Sequence, residues 1–191
     1  MSKNKVTITV SVYKGAEYLE RMLDIFDQYN VKTTFFISGF VACKYSDQVI
    51  KIRDYGHEIG SLGFSKSSAQ SIDEKSFKSE IKITEDILFN LCGIKTSMYA
   101  PPVGVPNSVA VNVCEKLGYK IIMRSREIND LVDNDYNTMI YRATHNIRSG
   151  DVILIHPTLH TLKALPKVLE YFSGSNFDLV FVSKNLEPIV Y

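Results

Sequence analysis

The chain has 191 residues, of which 45% are hydrophobic, 23% charged and 11% aromatic, and its formal net charge is +1. This length suffices for one domain with a sizeable core, so we expect a single domain over residues 1–191. Acidic and basic residues alternate along the sequence, which argues against a nucleic-acid-binding stripe and against an acidic solvating tail.

The amino-terminal segment MSKNKVTITVSVYKG has only a short apolar run, and polar residues interrupt it. A secretory signal needs a longer continuous apolar stretch, and no segment approaches the ~20 apolar residues of a membrane span. The three cysteines form no CxxC pair, and an odd number without a framework is typical of a reducing compartment. We therefore expect a cytoplasmic protein without a membrane partner.

Apolar periodicity predicts strands and helices that alternate along the chain. The predicted strands are Lys5–Val12, Lys32–Ser38, His57–Ser61, Met98-Tyr99, Tyr119–Met123, Asp151–Ile155 and Phe177–Val182. The predicted helices are Ala16–Tyr29, Val41–Tyr55, Asp73–Leu91, Asn107–Leu117, Tyr136–Ile147 and Thr161–Phe172. Ser71 and Glu74 have the S-x-x-E spacing of a capping box before the third helix. Apolar runs such as VILI suit a sheet covered on both faces, in either a small βα barrel or an open doubly wound sheet.

Six segments, taken in order, resemble the motifs of the polysaccharide deacetylase family, the NodB-homology domain of carbohydrate esterases. They are VTITVSVYKG, VKTTFFISG, DYGHEIGS, APPVG, SGDVILIH and TLKALPKVLEYF. Any one of them is weak evidence, but their combination in this order is specific. The resemblance implies an α/β fold, a distorted (β/α)7 barrel. It also implies a relation to enzymes that deacetylate N-acetylglucosamine-containing glycans with a divalent metal, usually zinc.

The positions that bind the metal in the family hold other residues in this sequence. The family motif T-F-D-D-G corresponds to Thr9–Tyr13, so Ser11 stands at the general-base position and Val12 at a ligand position. The two ligand histidines of N-H-T-Y-S-H correspond to Leu62 and Lys66. Hydrocarbon side chains offer no lone pair, and an ammonium group repels a dication. The resemblance therefore predicts no metal cofactor and no metal-dependent deacetylation.

Two of the remaining motifs have also lost residues that the family uses for catalysis. The family's R-P-P-Y-G motif begins here with Ala100, so the arginine that orients the catalytic aspartate is missing. In the fourth motif Arg124 stands at the tryptophan position, while Glu127 and Asp130 remain as acids without their usual partners. The last motif persists, and its histidine, His156, acts in the family as general acid or tunes the site.

Two sets of candidate residues follow from this correspondence. The candidate catalytic residues are His156, Ser11, Glu127 and Asp130. The candidate substrate-binding residues are Tyr13, Lys66, Pro101, Pro102, Arg124 and Leu154. A Ser11–His156 pair would need a third orienting group, and no G-x-S-x-G elbow is present. Lys66, Arg124 and Arg126 would favour an anionic ligand if they line the cleft, with solvated surface charge as the alternative for Arg126.

Three hypotheses of function remain open on the sequence. The first is a non-catalytic member of the fold that binds a glycan or an anionic sugar derivative, or that acts with a partner enzyme. The second is a metal-independent hydrolase of a carbohydrate-related C–N bond that uses His156 with nearby acids. The third is a protein-interaction or regulatory module, including a homo-oligomer, for which an exposed apolar patch over the cleft mouth would be evidence.

Overall fold

The computed structural model describes residues 4–65 and 73–185. The strands in these ranges are β1 (Asn4–Val12), β2 (Thr34–Ile37), β3 (Glu58–Ser61), β4 (Met98–Tyr99), β5 (Lys120–Ile121), β6 (Arg126–Glu127), β7 (Val152–Ile155) and β8 (Phe177–Leu179). The helices are α1 (Leu19–Gln28), α2 (Gly39–Lys44), α3 (Ser46–Asp54), α4 (Glu74–Cys92), α5 (Ser108–Leu117), α6 (Tyr136–Thr144), α7 (Leu159–Ser173) and α8 (Val182–Asn185). None of these helices is long and apolar enough to cross a membrane.

All strand pairs are parallel, in the order β5-β4-β3-β2-β1-β7-β6, with β8 paired to the start of β1. β5 and β6 are the two end strands of this order, and they are consecutive in the chain. The Ile122 N–H donates to the Tyr99 carbonyl at 2.8 Å, and the Ser125 N–H donates to the Val152 carbonyl at 3.0 Å. The chain from β5 to β6 therefore connects the two end strands, which do not pair with each other. This connection agrees with the expected distorted barrel rather than with an open doubly wound sheet.

The central strand β1 is buried on both faces, because helices cover one face and the barrel encloses the other. Val6, Ile8, Val10 and Val12 belong to the main core cluster, which contains residues of α1, α6 and α7. The alternate residues Thr9 and Ser11 line a cavity inside the barrel. A second apolar cluster also fills the interior, with the members Phe36, Leu62, Met98, Ile122 and Val182.

Two predicted boundaries moved for identifiable reasons. The helix predicted over Val41–Tyr55 is divided at Tyr45, whose backbone is non-helical at φ −130° and ψ 49°. The helix predicted from Thr161 begins at Leu159, because the Thr158 hydroxyl accepts the Thr161 N–H and caps the first turn.

Two further corrections concern capping and the last strand. The cap of α4 is Asp73, whose carboxylate accepts the Ser76 N–H at 3.0 Å, and Ser71 lies outside the described residues. The last strand ends at Leu179 rather than Val182. The Val182 N–H donates to the Thr34 hydroxyl, and the Val182 side chain packs in the interior apolar cluster.

His57 is a packed residue of the core, as the sequence indicates. Its Nδ1 accepts the Thr33 N–H at 3.1 Å, and its ring lies edge-on to Phe26 and Phe35 at 5.6 and 4.9 Å. Its Nε2 is buried without a hydrogen-bond partner. Burial, together with the nearby charge of Lys32, lowers the pKa of His57 to about 4. The folded protein therefore holds this imidazole in its neutral form.

This depressed pKa predicts a loss of stability in mild acid. The unfolded chain binds a proton at His57 below about pH 6.5, whereas the folded chain binds it only near pH 4, so the contribution is complete above pH 6.5 and falls as the pH approaches 4. Between pH 7 and pH 5 we expect wild type to lose about 2 kcal/mol more unfolding free energy than His57→Asn, whose amide oxygen can still accept the Thr33 N–H. Urea unfolding at both pH values measures this. The exposed His145→Asn is the control, and an equal pH dependence in wild type and His57→Asn would contradict the prediction.

Candidate functional site

The candidate site lies where β1 and β7 end, inside the mouth of the barrel. These strands pair with Thr9 opposite Leu154 and Val10 opposite Ile155. Thr9 and Leu154 both line the internal cavity. Because side chains alternate along a strand, Ser11 and His156 are the next residues on the same inner face.

The His156 imidazole is bonded to a buried carboxylate. Its Nδ1 lies 2.8 Å from Asp130 Oδ1, and the Asp130 side chain is only 2% exposed. The other carboxylate oxygen accepts the backbone N–H of His156 at 2.6 Å and the Thr161 hydroxyl at 2.7 Å. Nδ1 is thus the ring nitrogen bonded to Asp130, and Nε2 is the ring nitrogen on the opposite side of the imidazole. The expectation that Asp130 has lost its partner is therefore wrong.

The loop that carries Asp130 is fixed by its own contacts. Arg142 on α6 donates to the Ile128 carbonyl at 3.1 Å and forms an ion pair with Asp133. Asn129 adopts a left-handed backbone conformation at φ 58°, which reverses the chain beside Asp130. Sequence reasoning did not identify Arg142 or Thr161 as part of the site. Thr161 begins the sixth family-like segment but carries no motif signal for this contact, which joins it to Asp130 across 31 residues. Arg142 lies in none of the six segments and holds the loop through Ile128 and Asp133, 14 and 9 residues away.

Tyr13 packs against His156 from the turn after β1. The two ring centroids are 5.5 Å apart and the planes meet at 78°. Burial raises the pKa of Tyr13, and the negative charges of Asp130 and Glu127 raise it further. The phenol therefore stays protonated and able to donate a hydrogen bond.

The other charged candidates are engaged away from His156. Glu127 forms an ion pair with Arg124, which lines the internal cavity. Arg126 donates to Asp151 at 2.9 Å and also to three backbone carbonyls. Arg126 is thus a structural cross-link, neither a cleft residue nor a solvated surface charge.

The internal cavity is small. Its volume is about 10 Å³, room for about one water molecule. Its lining contains the candidates Ser11, Pro101, Arg124 and Leu154, while Pro102 is half-buried outside it. Lys66 lies outside the described residues. Ser11 makes no hydrogen bond to His156 within the ranges that the structure describes.

The comparisons with known proteins identify the family. The family model for polysaccharide deacetylase matches residues 1–122. The chain belongs to this family. A peptidoglycan-N-acetylglucosamine deacetylase of Bacillus cereus is 29% identical over 157 residues, which cover 82% of this chain and 57% of that protein. The uncharacterized protein YlxY of Bacillus subtilis is 24% identical over 185 residues, which cover 97% of this chain and 58% of that protein. The chain thus spans less than two thirds of these two relatives.

A solved structure with the same fold is a CE4 family pseudoenzyme from Bacillus anthracis. The TM-score is 0.92 at 23% identity, over 97% of this chain and 66% of that chain. A mutant of that pseudoenzyme with restored enzymatic activity superposes with a TM-score of 0.93 at 22% identity.

Two of the three positions that the sequence resemblance matches to metal ligands are apolar and buried in this chain. Val12 is 0% exposed in the main core, and Leu62 is 1% exposed in the interior cluster, against which Tyr13 and Ala100 also pack. Residues 4–65 and 73–185 contain no group of three or more His, Cys, Asp or Glu side chains placed to hold a metal ion. The donor set at these positions therefore does not fit the family's metal.

Gly15 sets the approach of the Tyr13 turn to the loop that follows β7. Its φ is +77°, and a Cβ at this position would overlap the carbonyl oxygen of Pro157. Gly93 has a similar φ of +68° with open space around it. The two glycines therefore share the backbone requirement and differ in the close approach.

We expect Gly15→Ala to lower the free energy of unfolding more than Gly93→Ala. The control loses only the left-handed preference, about 1–2 kcal/mol, whereas Gly15→Ala also forces the two loops apart. Urea unfolding measures both, and the imidazole proton shifts of His156 report the displacement of the Tyr13 ring. Equal destabilisation, with unchanged His156 shifts, would show that the contact with Pro157 has no energetic weight.

Proposed function

We propose that this chain is a glycan-binding member of the polysaccharide deacetylase family that does not perform the family's metal-dependent deacetylation. The observation that carries the proposal is the burial of Val12 and Leu62 at two ligand positions. Zinc binds through nitrogen, sulfur and oxygen donors, which neither side chain has. Without the metal, a water molecule loses its activator and an amide carbonyl loses its Lewis acid.

The size of the cavity supports binding at the barrel mouth rather than inside the barrel. Space for about one water molecule cannot take a sugar ring. The ligand would therefore lie across the loops after the strands, with only a small substituent directed inward. The names of relatives such as the Bacillus cereus peptidoglycan-N-acetylglucosamine deacetylase support a carbohydrate as the ligand class.

The charges at the mouth favour a neutral sugar over an anionic derivative. Arg124 is paired with Glu127, and Arg126 is bonded to Asp151 and backbone carbonyls. An anionic ligand would have to displace Glu127 before it could pair with Arg124, and the loss of the Arg124–Glu127 ion pair offsets part of the gain in binding free energy.

A protein-interaction module is the second candidate, and one feature of the surface favours it. The loops and helix first turns that follow the strands carry exposed apolar side chains, of which Val132 is 85% exposed. Others are Phe40, Val103, Val105, Leu131 and Leu159. Light scattering of the purified chain tests self-association. A concentration-dependent dimer that Val132→Ser and Val105→Ser abolish together would favour this candidate over glycan binding.

The proposed function predicts metal-free purification and glycan binding without deacetylation. Wild type should contain no stoichiometric zinc by elemental analysis and should release no acetate from N-acetylglucosamine oligosaccharides in added zinc. Calorimetric titration with the same oligosaccharides should show saturable binding. Stoichiometric zinc, or zinc-dependent acetate release, would overturn the proposal that metal chemistry has been lost.

A variant with the family's residues restored sharpens this test. Ser11→Asp with Val12→Asp, Leu62→His and Lys66→His should gain zinc, because it returns a carboxylate and two imidazoles to the ligand positions. The restored activity in a mutant of the Bacillus anthracis pseudoenzyme supports the expectation that this fold can regain lost chemistry. The matched control, Ser11→Asn with Val12→Asn, Leu62→Gln and Lys66→Gln, places comparable polarity in the same core without strong ligands. Equal zinc content in both variants would contradict the assignment of these positions.

A further inference from the structure

We propose that Tyr13 is a plug of the barrel mouth. Its ring fills the space that a substituent of a bound sugar could enter, so the wild-type chain contacts a glycan only with the rim of the barrel. The position of the ligand rests on the proposed function, whereas the filled space rests on the contacts of the ring. Tyr13 thereby determines which sugar substituents the site can distinguish.

Tyr13 continues the series of β1 side chains that face into the barrel. Thr9 and Ser11 line the internal cavity, and Tyr13 is the next residue of this alternating series, one step closer to the mouth. Its ring packs against the interior apolar cluster, whose members Phe36 and Ile122 also line the cavity. The ring therefore lies on the mouth side of the cavity.

The ring has neighbours on both the polar and the apolar side of the mouth. His156 meets it edge-on, with ring centroids 5.5 Å apart, and the Lys14 ammonium lies over the ring at 5.8 Å from its centroid. Burial raises the pKa of Tyr13, and the charges of Asp130 and Glu127 raise it further, so the phenol lies within the field of both acids. The ring thus connects the surroundings of His156 with the interior apolar cluster.

The backbone holds the ring in this position. Gly15 has a φ of +77°, and a Cβ at this residue would overlap the Pro157 carbonyl oxygen, so the turn that carries Tyr13 lies directly against the loop after β7. The Tyr18 N–H donates to the Gly15 carbonyl at 2.9 Å. Because the β1 ladder holds the other end of the turn, the ring keeps its place in the mouth.

The sequence resemblance supports the role of the ring as a filler. It matches Tyr13 to the glycine of the motif T-F-D-D-G, so this chain has an aromatic ring where the motif has no side chain. With the ring in place, the cavity that remains has space for about one water molecule. That space can take a sugar hydroxyl, but it is too small for an acetylamino group.

This arrangement predicts how the site treats two sugars that differ in one substituent. N-acetylchitotetraose and cellotetraose have the same linkage and length, and they differ in carrying an acetylamino group or a hydroxyl at each C2. Wild type leaves the acetylamino group outside the barrel, so we expect it to bind both sugars with similar dissociation constants. Removal of the ring opens space for that group, so a variant without the ring should prefer N-acetylchitotetraose.

Complementation with 4-methylphenol, which has the shape of the tyrosine side chain, tests whether the ring fills such a space. Tyr13→Ala should bind 4-methylphenol saturably in calorimetric titration, and the compound should raise the melting temperature of this variant. Wild type and Tyr13→Phe keep the ring and should bind none. Tyr136→Ala, which removes an exposed tyrosine at the start of α6, is the matched control and should also bind none.

Sugar selectivity tests whether the space belongs to the ligand site. Tyr13→Ala should bind N-acetylchitotetraose at least about tenfold more tightly than cellotetraose, the selectivity that one small group gives in a fitted pocket. Saturating 4-methylphenol should abolish this preference by competition. Wild type, Tyr13→Phe and Tyr136→Ala should show no such preference. Tyr13→Val, which keeps more of the packing, should show the preference too and replaces Tyr13→Ala if that variant does not fold.

The outcomes separate this inference from the function on which it rests. No 4-methylphenol binding by folded Tyr13→Ala, or the wild-type ratio of the two dissociation constants in a folded variant without the ring, overturns the inference. Saturable binding of either sugar by wild type then leaves the proposed function standing. Stoichiometric zinc in wild type, or no sugar binding by wild type, overturns the proposed function. In that case a preference of Tyr13→Ala for N-acetylchitotetraose still supports the plug.

Discussion

The pairing of β1 with β2 and β7 is the constraint on which the rest of the structure depends. This strand is buried on both faces, so every one of its side chains from Val6 to Val12 must suit either the helix-covered core or the barrel interior. Its end also carries the site. A polar side chain at position 12 would be buried in an apolar environment, a cost in free energy that a bonding partner would have to compensate. With hydrocarbon there, the strand needs no such compensation.

The same reasoning explains why the changes at the site occur together. Leu62, Ala100 and Tyr13 all contact the interior cluster, so these positions now stabilise the fold through burial. Asp130 differs from them because its buried carboxylate is hydrogen-bonded to the His156 N–H, the His156 imidazole and the Thr161 hydroxyl. The site therefore combines a packed apolar half around Leu62 with a polar half around His156.

Much of the fold could be predicted from the sequence, because the strands are strongly apolar and the motifs are ordered. Short elements could not: β6 is the charged pair Arg126-Glu127, and only its ladder with β7 makes it a strand. The contacts that hold Asp130 could not be predicted either, because they form only through tertiary packing. Thr161 bonds to Asp130 itself, and Arg142 bonds to its loop. Residues at the family positions, such as Val12 and Leu62, were readable from the sequence because the identity of the side chain alone decides whether it can donate a lone pair.

The closing stretch between β5 and β6 has a consequence for how this barrel can change. Its first half is bonded to β4 and its second half to β7, so Ile122 and Arg124 stand at the switch between two short ladders. Side chains, and not a continuous ladder, bound the mouth on this side. A substitution at Arg124 therefore changes the lining of the cavity and removes the pair with Glu127 without taking a residue out of either ladder.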